Sequence, residues 1–212
     1  MIKHVIWDWN GTLIDDVGLC VDVLNHILIR YNIKSLTVEE YRNLFFFPVS
    51  NFYKTLGLPS SGTDYELLTK DFIDQYRKNF THCDLHFSAL HTVKRLNSMG
   101  ISQSILSAGC QSDVESFVKF FKIESFISFI DGAKDIQANR KDNRALKHLS
   151  FLNMRAEDSL LVGDTCHDWE IARLIGCSSI LFTKGHVSAK RLKRLNSTTI
   201  ESLADIAGLL SN

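Results

Sequence analysis

Proline is nearly absent from this 212-residue chain, standing only at positions 48 and 59. With no repeat and no low-complexity tract either, every part of the chain is expected to fold. Charge of one sign is also missing: 24 lysines and arginines balance 24 aspartates and glutamates. That balance argues against a polyanion-binding surface, so nucleic acid is not an expected partner. No apolar run approaches the roughly 18 residues that span a bilayer, so no membrane partner is expected. The N-terminus lacks a basic region followed by a long apolar stretch and reads as no signal peptide. Five cysteines (Cys20, Cys83, Cys110, Cys166 and Cys177) are odd in number, scattered and without a C-x-x-C pair. They fit reduced thiols in a cytoplasmic protein and exclude both a disulfide framework and a zinc site.

What is present starts with KHVIWDWNGTLIDD, residues 3–16. A β-branched and aromatic run at residues 4–7 empties through Asp8 into a loop at Asn10-Gly11-Thr12, which reads as a buried strand and a tight turn. In open parallel α/β sheets, ligands bind just past the carboxyl ends of strands, and Asp8 stands at such an end. Asp15 and Asp16 then suit the N-terminus of a helix over residues 17–31, by hydrogen bonding and by the macrodipole. Thr37 and Glu40 form a capping box for a second helix, Pro48 ends it, and helices over 51–56 and 63–80 follow. Nothing between residues 15 and 82 reads as a strand. From residue 90 onward strands alternate with helices of about ten residues, with strands at 101–106, 126–130, 159–162 and 179–182. That rhythm predicts an α/β fold, a doubly wound parallel sheet with helices on both faces. The expected domains are an α/β core over residues 1–14 and 85–212 and a helical insertion over residues 15–84.

Polar residues with compatible chemistry stand at four strand ends or helix starts. Asp8, Asp164 and Asp168 are three hard oxygen donors of the kind that suits Mg²⁺. Ser107 and Lys141 are suited to an anionic oxygen group such as a phosphate. With that charge neutralised, a carboxylate such as Asp8 can attack phosphorus. His167 and Cys166 read as packing groups rather than ligands, and Phe45-Phe46-Phe47 with Phe52 and Tyr53 as the core of the insertion.

The order D-x-x-G-T…S…K…G-D-T-x-x-D resembles the haloacid dehalogenase superfamily, in its subgroup with a helical cap after the first motif. Phosphoglycolate phosphatase-like members are closest in pattern, and the likeness spans the chain. The resemblance implies a Rossmann-like core with a cap over residues 15–84. It implies Asp8 as nucleophile and metal ligand, and the Asn10 backbone carbonyl as a further ligand. Ser107 and the backbone around Ala108 would hold phosphoryl oxygens, Lys141 would pair with Asp8 and the phosphate, and Asp164 and Asp168 would complete the Mg²⁺ site. The implied activity is a Mg²⁺-dependent phosphatase acting on a small phosphorylated metabolite through an aspartyl-phosphate, as monomer or homodimer. The alternative is a weak or inactive relative that binds phosphoryl ligands. Position 10 departs from the pattern: these phosphatases carry an acid/base aspartate there. An amide neither delivers nor accepts the proton, and such help is worth about 10²–10⁴ in rate.

Overall fold

The computed structural model describes residues 1–136 and 140–211. A six-stranded parallel sheet, in the order β5-β4-β1-β6-β7-β8, forms its centre. These strands are β1 (His4–Trp7), β4 (Ser102–Cys110), β5 (Phe129–Ala133), β6 (Ser159–Gly163), β7 (Ser178–Phe182) and β8 (Thr198–Ile200). All four residues of β1 are buried, as a central strand covered on both faces requires. Its neighbours pair in register with it, His4 opposite Ser102 on one side and Ser159 on the other. The chain builds outward from β1 to β5, then crosses back to lay β6 on the other side. This reversal puts the topological switch point beside β1, where ligands of such sheets bind.

Helices α5 (Ala89–Ser98), α6 (Gln111–Phe120), α7 (Asp142–Phe151), α8 (Cys166–Ile175), α9 (Ala189–Leu192) and α10 (Asp205–Leu209) connect or flank these strands. Between β1 and β4 lie α1 (Val17–Arg30), α2 (Val38–Leu44), α3 (Val49–Thr55) and α4 (Gly62–Asn79). Leu24, Tyr41, Phe52, Tyr53 and Leu68 of this helical segment share one apolar cluster, which also takes in Leu181, Val187 and Leu192. The Thr37–Glu40 capping box forms as expected and opens α2. Among the described residues, no helix is long and apolar enough to cross a membrane.

Several boundaries differ from the sequence expectation. The ends of the helical segment are zipped by a two-stranded antiparallel ribbon, β2 (Ile14–Asp15) with β3 (Asp84–Leu85). Asp15 is therefore in a strand, and Asp16 occupies the N-cap position of α1 without a side-chain capping bond. Strand β4 does not end at Leu106. It continues through a register shift against β5, so Ser107 and Ala108 lie within the strand. Strand β8 was not expected from sequence, because three residues carry no readable period and the strand exists only by pairing with β7.

Candidate active site

The loop after β1 sets the geometry. The Asp8 amide donates to Val162 O at 2.8 Å, which ties the strand end to β6. The next turn is built around Gly11, whose φ of +72° lies in the left-handed region open to glycine. A Cβ at position 11 would also stand 2.5 Å from Asp164 Oδ2. The close approach of the two loops therefore depends on a bare backbone. Beyond β6, Thr165 caps α8 and Asp168 closes the capping box. Thr165 donates to Asp168 Oδ2 from its amide at 2.9 Å and from its hydroxyl at 2.7 Å.

Lys141 joins the two loops. It is buried at the head of α7, with Nζ 2.7 Å from Asp8 Oδ1, 2.7 Å from Asp168 Oδ1 and 2.9 Å from Leu106 O. Its backbone amide donates to His167 Nε2 at 3.1 Å. Burial, and then Lys141, lower the His167 pKa to about 4, so this imidazole is a neutral acceptor. His167 thus orients Lys141 and packs against Phe47, as the sequence reading had it. Asp164 Oδ1 accepts the Thr12 hydroxyl at 2.9 Å, and Asp164 Oδ2 accepts the His186 amide.

One ligand oxygen from each of Asp8, Asp164 and Asp168 can be chosen so that all lie within 4.8 Å of one another, all three residues being buried. Burial raises the Asp8 carboxyl well above its usual range and Asp168 raises it further, against the lowering effect of Lys141. Burial likewise carries Asp164 up to about 6. Asp168 falls instead, because Lys141 and Thr165 outweigh its burial. One lysine does not neutralise three clustered carboxylates. The set is a hard-oxygen site in want of a cation.

Ser107 and Ala108 line the same cavity as Asp8 and Asn10. The Ser107 hydroxyl accepts the Gly109 amide at 3.0 Å, and the Ser107 carbonyl takes a guanidinium hydrogen from Arg144 at 2.6 Å. The sequence-selected residues Asp8, Asn10, Ser107, Ala108, Lys141, Asp164 and Asp168 are thus brought to one place.

Three residues there went unread in the sequence. Asp16, fully buried, accepts the Asn10 amide at 2.6 Å and the Tyr76 hydroxyl at 2.8 Å on Oδ2. On Oδ1 it accepts the Gly11 amide at 2.8 Å and faces His186 Nε2 at 3.2 Å. Burial raises the Asp16 pKa, but His186, Asn10 and Tyr76 outweigh it and the net shift is downward. Burial alone would lower the His186 pKa; Asp16, Asp164 and Asp8 overcome it and carry it up to about 9. Asp16 and His186 are therefore an ion pair behind the turn. The expectation that Asp16 serves helix capping is corrected: its carboxylate is committed to the site. A signal for His186 was available, since Gly185-His186 follows the carboxyl end of β7, where the rule applied to β1 and β6 also holds. Tyr76 falls within the helix expected over residues 63–80, and its polar tip was the sign passed over.

A cavity of about 140 Å³ opens over Asp8 and Asn10 toward the helical segment. Phe45, Phe47, Phe52, Tyr53, Phe72 and Tyr76 line it, so these rings do more than fill a core.

The profile of the haloacid dehalogenase-like hydrolases matches residues 5–182, most of the chain. An uncharacterized hydrolase of Saccharomyces cerevisiae is 32% identical over 126 residues, 57% of this chain and 57% of that protein. The chain thus spans little more than half of that relative's length. The pyrophosphatase PpaX of Bacillus cereus is 26% identical over 173 residues, 79% of this chain and 76% of its own. Among solved structures, a predicted phosphoglycolate phosphatase from Haemophilus somnus superposes with a TM-score of 0.79 at 16% identity, covering 99% of this chain and 98% of that one. At that identity the likeness is one of fold. The profile match is one of family, and the chain belongs to the haloacid dehalogenase-like hydrolases.

Proposed function

From that membership, we propose that the chain is a Mg²⁺-dependent phosphatase of small phosphorylated metabolites, working through an aspartyl-phosphate on Asp8. The observation that carries the reading is Lys141 Nζ, 2.7 Å from both Asp8 and Asp168, at the centre of a buried three-carboxylate cluster. Asp8, Asp164, Asp168 and the Asn10 carbonyl would hold Mg²⁺. When bound, the cation would supply positive charge that keeps Asp8 ionised and neutralises phosphoryl oxygens.

This chain's own groups do the rest. Lys141 fixes one oxygen of Asp8 and leaves the other for phosphorus. Ser107 and the backbone at Ala108 supply donors for the phosphoryl oxygens. The Asp8 oxygen bonds to phosphorus as the ester P–O bond breaks, and the electron pair leaves on the ester oxygen, which takes its proton from solvent. Water then attacks phosphorus, Asp8 leaves as carboxylate, and inorganic phosphate forms.

Asn10 acts by orientation. Its amide donates to Asp16 and Tyr76, and its Oδ1 is turned toward Gly109, as an acceptor for water rather than a base. We read residues 15–84 as a cap that excludes water around the reacting phosphoryl group. Specificity would rest on the helical segment out to α4, since Phe72, Ile73 and Tyr76 face the cavity together with Phe45 and Phe52.

The test is hydrolysis of phosphate monoesters with and without Mg²⁺ by wild type and Asp8→Asn. The expected outcome is Mg²⁺-dependent turnover that Asp8→Asn abolishes. Turnover that survives in Asp8→Asn would contradict Asp8 as the phosphoryl acceptor, and no turnover on any phosphate would sink the reading in favour of a protein that only binds phosphoryl ligands.

A further inference from the structure

The cavity wall bears on which phosphate enters, an inference that rests on the phosphatase reading. Phe45, Phe47, Phe52, Phe72, Ile73 and Phe117 are among its apolar residues, and no lysine or arginine stands among the described lining residues. The carboxyl and imidazole side chains on the wall are those of Asp8, Asp113 and His186. Asp113 adds negative charge and is held by Arg77, with nitrogen–oxygen distances of 2.9 and 3.0 Å. Both ring nitrogens of His186 are committed, Nδ1 to the Tyr41 hydroxyl at 2.9 Å and Nε2 to Asp16 at 3.2 Å. Lys141 is committed to Asp8, Asp168 and Leu106.

A second anionic group on the substrate would therefore lose its hydration and meet no cation. That sets this cavity against small dianionic esters such as phosphoglycolate, and against pyrophosphate, whatever its relatives take. An apolar ring meets the opposite situation. The cavity is about 140 Å³, and an apolar cavity of about 150 Å³ lined by leucine, isoleucine and phenylalanine takes benzene.

Asn10 points the same way independently. Without an acid at position 10, the leaving oxygen must depart with little proton help, which a phenolate does far better than an alkoxide. We propose that the substrates are aryl phosphates, monoesters of a single aromatic ring that carries no second anionic group. Asp8 bonds to phosphorus as the aryl P–O bond breaks. The electron pair leaves on the phenolate oxygen, which takes its proton from water. The ring lies against Phe45, Phe52 and Phe72.

The experiment has two arms. With Mg²⁺, kcat/KM is measured for phenyl phosphate, phosphoglycolate, pyrophosphate and glycerol phosphate on wild type and Ile73→Arg. Phenyl phosphate is expected to lead by about 100-fold, the scale on which an unpaired buried polar group discriminates. Ile73→Arg, which adds a cation to the wall, is expected to shift the ratio toward phosphoglycolate by about tenfold. The second arm needs no turnover: calorimetric binding of benzylphosphonate and 3-phosphonopropionate to the Mg²⁺-loaded wild type. Tighter benzylphosphonate is expected. Equal or better use of phosphoglycolate or pyrophosphate, or tighter 3-phosphonopropionate, overturns the aryl assignment and leaves the phosphatase reading standing. If no phosphate is turned over, that reading falls, and the binding arm still decides what the cavity accepts.

Discussion

Asn10 spends both amide hydrogens on neighbouring side chains, on Asp16 Oδ2 at 2.6 Å and on the Tyr76 hydroxyl at 3.0 Å. The residue that replaces an acid is thus matched to a buried carboxylate behind it. Asn10→Asp would set two carboxylates against each other, and such a pair holds a shared proton with a raised apparent pKa. Stability from that proton is present below the usual carboxylate pKa and lost as pH rises through the raised value. Asn10→Asp should therefore cost about 3 kcal/mol at neutral pH, with less loss in acid, in urea melts at several pH values. The swapped double variant Asn10→Asp/Asp16→Asn should recover most of that loss and raise kcat on alkyl phosphates. Lack of recovery would show that the two side chains are not coupled. His186 gives a second test in metal-free protein. Its pKa is carried from 6.5 up to about 9, so its ion pair contributes fully below pH 6.5 and fades as pH rises toward 9. The contribution is about 3 kcal/mol. The stability gap between wild type and His186→Gln should shrink from pH 6.5 to 9. Asp16 was not legible as a site residue, since it sits where a helix cap belongs and its partner His186, past the end of β7, comes from 170 positions away.

At the scale of elements, what was legible followed from burial. Strands β1 and β6 sit inside a parallel sheet and so read as apolar runs ending in carboxylates, which is how Asp8 and Asp164 were found. The β2–β3 ribbon and β8 were invisible because two or three residues have no period of their own and are held only by their partners. The continuation of β4 past Leu106 was hidden by the irregular pairing that aims Ser107 into the cavity. The Thr37–Glu40 capping box was plain in the sequence and the Thr165–Asp168 box emerged with the structure, and the two make different predictions. Thr165→Ala removes the side-chain cap on the Asp168 amide and the hydroxyl bond to Asp168 Oδ2. It should lower stability by about 1–2 kcal/mol and reduce kcat/KM. Thr37→Ala should cost about 1 kcal/mol in thermal melts while leaving the stabilisation by Mg²⁺ intact, because α2 meets the site through its other face.

Across the whole molecule, the crossing from β5 to β6 is what sets Asp164 and Asp168 beside Asp8, although they are more than 150 positions apart in sequence. The order of the motifs carried that arrangement even before the topology did, because each motif stands near a strand end or at a helix start. On the proposed reading, a buried carboxylate cluster with one lysine would make the fold itself responsive to cations. Mg²⁺ at about 100 times its Kd should stabilise wild type by about 2.7 kcal/mol, and Asp164→Asn should lose most of that shift in a thermal melt. The central claim is that Asp8 accepts the phosphoryl group. With Asn10 unable to take a proton from water, breakdown of the aspartyl-phosphate is expected to lag its formation. Wild type mixed with Mg²⁺ and phenyl phosphate, quenched in acid during turnover and digested, should carry one phosphoryl group on the peptide that contains Asp8. Sustained turnover with that peptide unmodified, or with the phosphoryl group on another residue, would contradict the account.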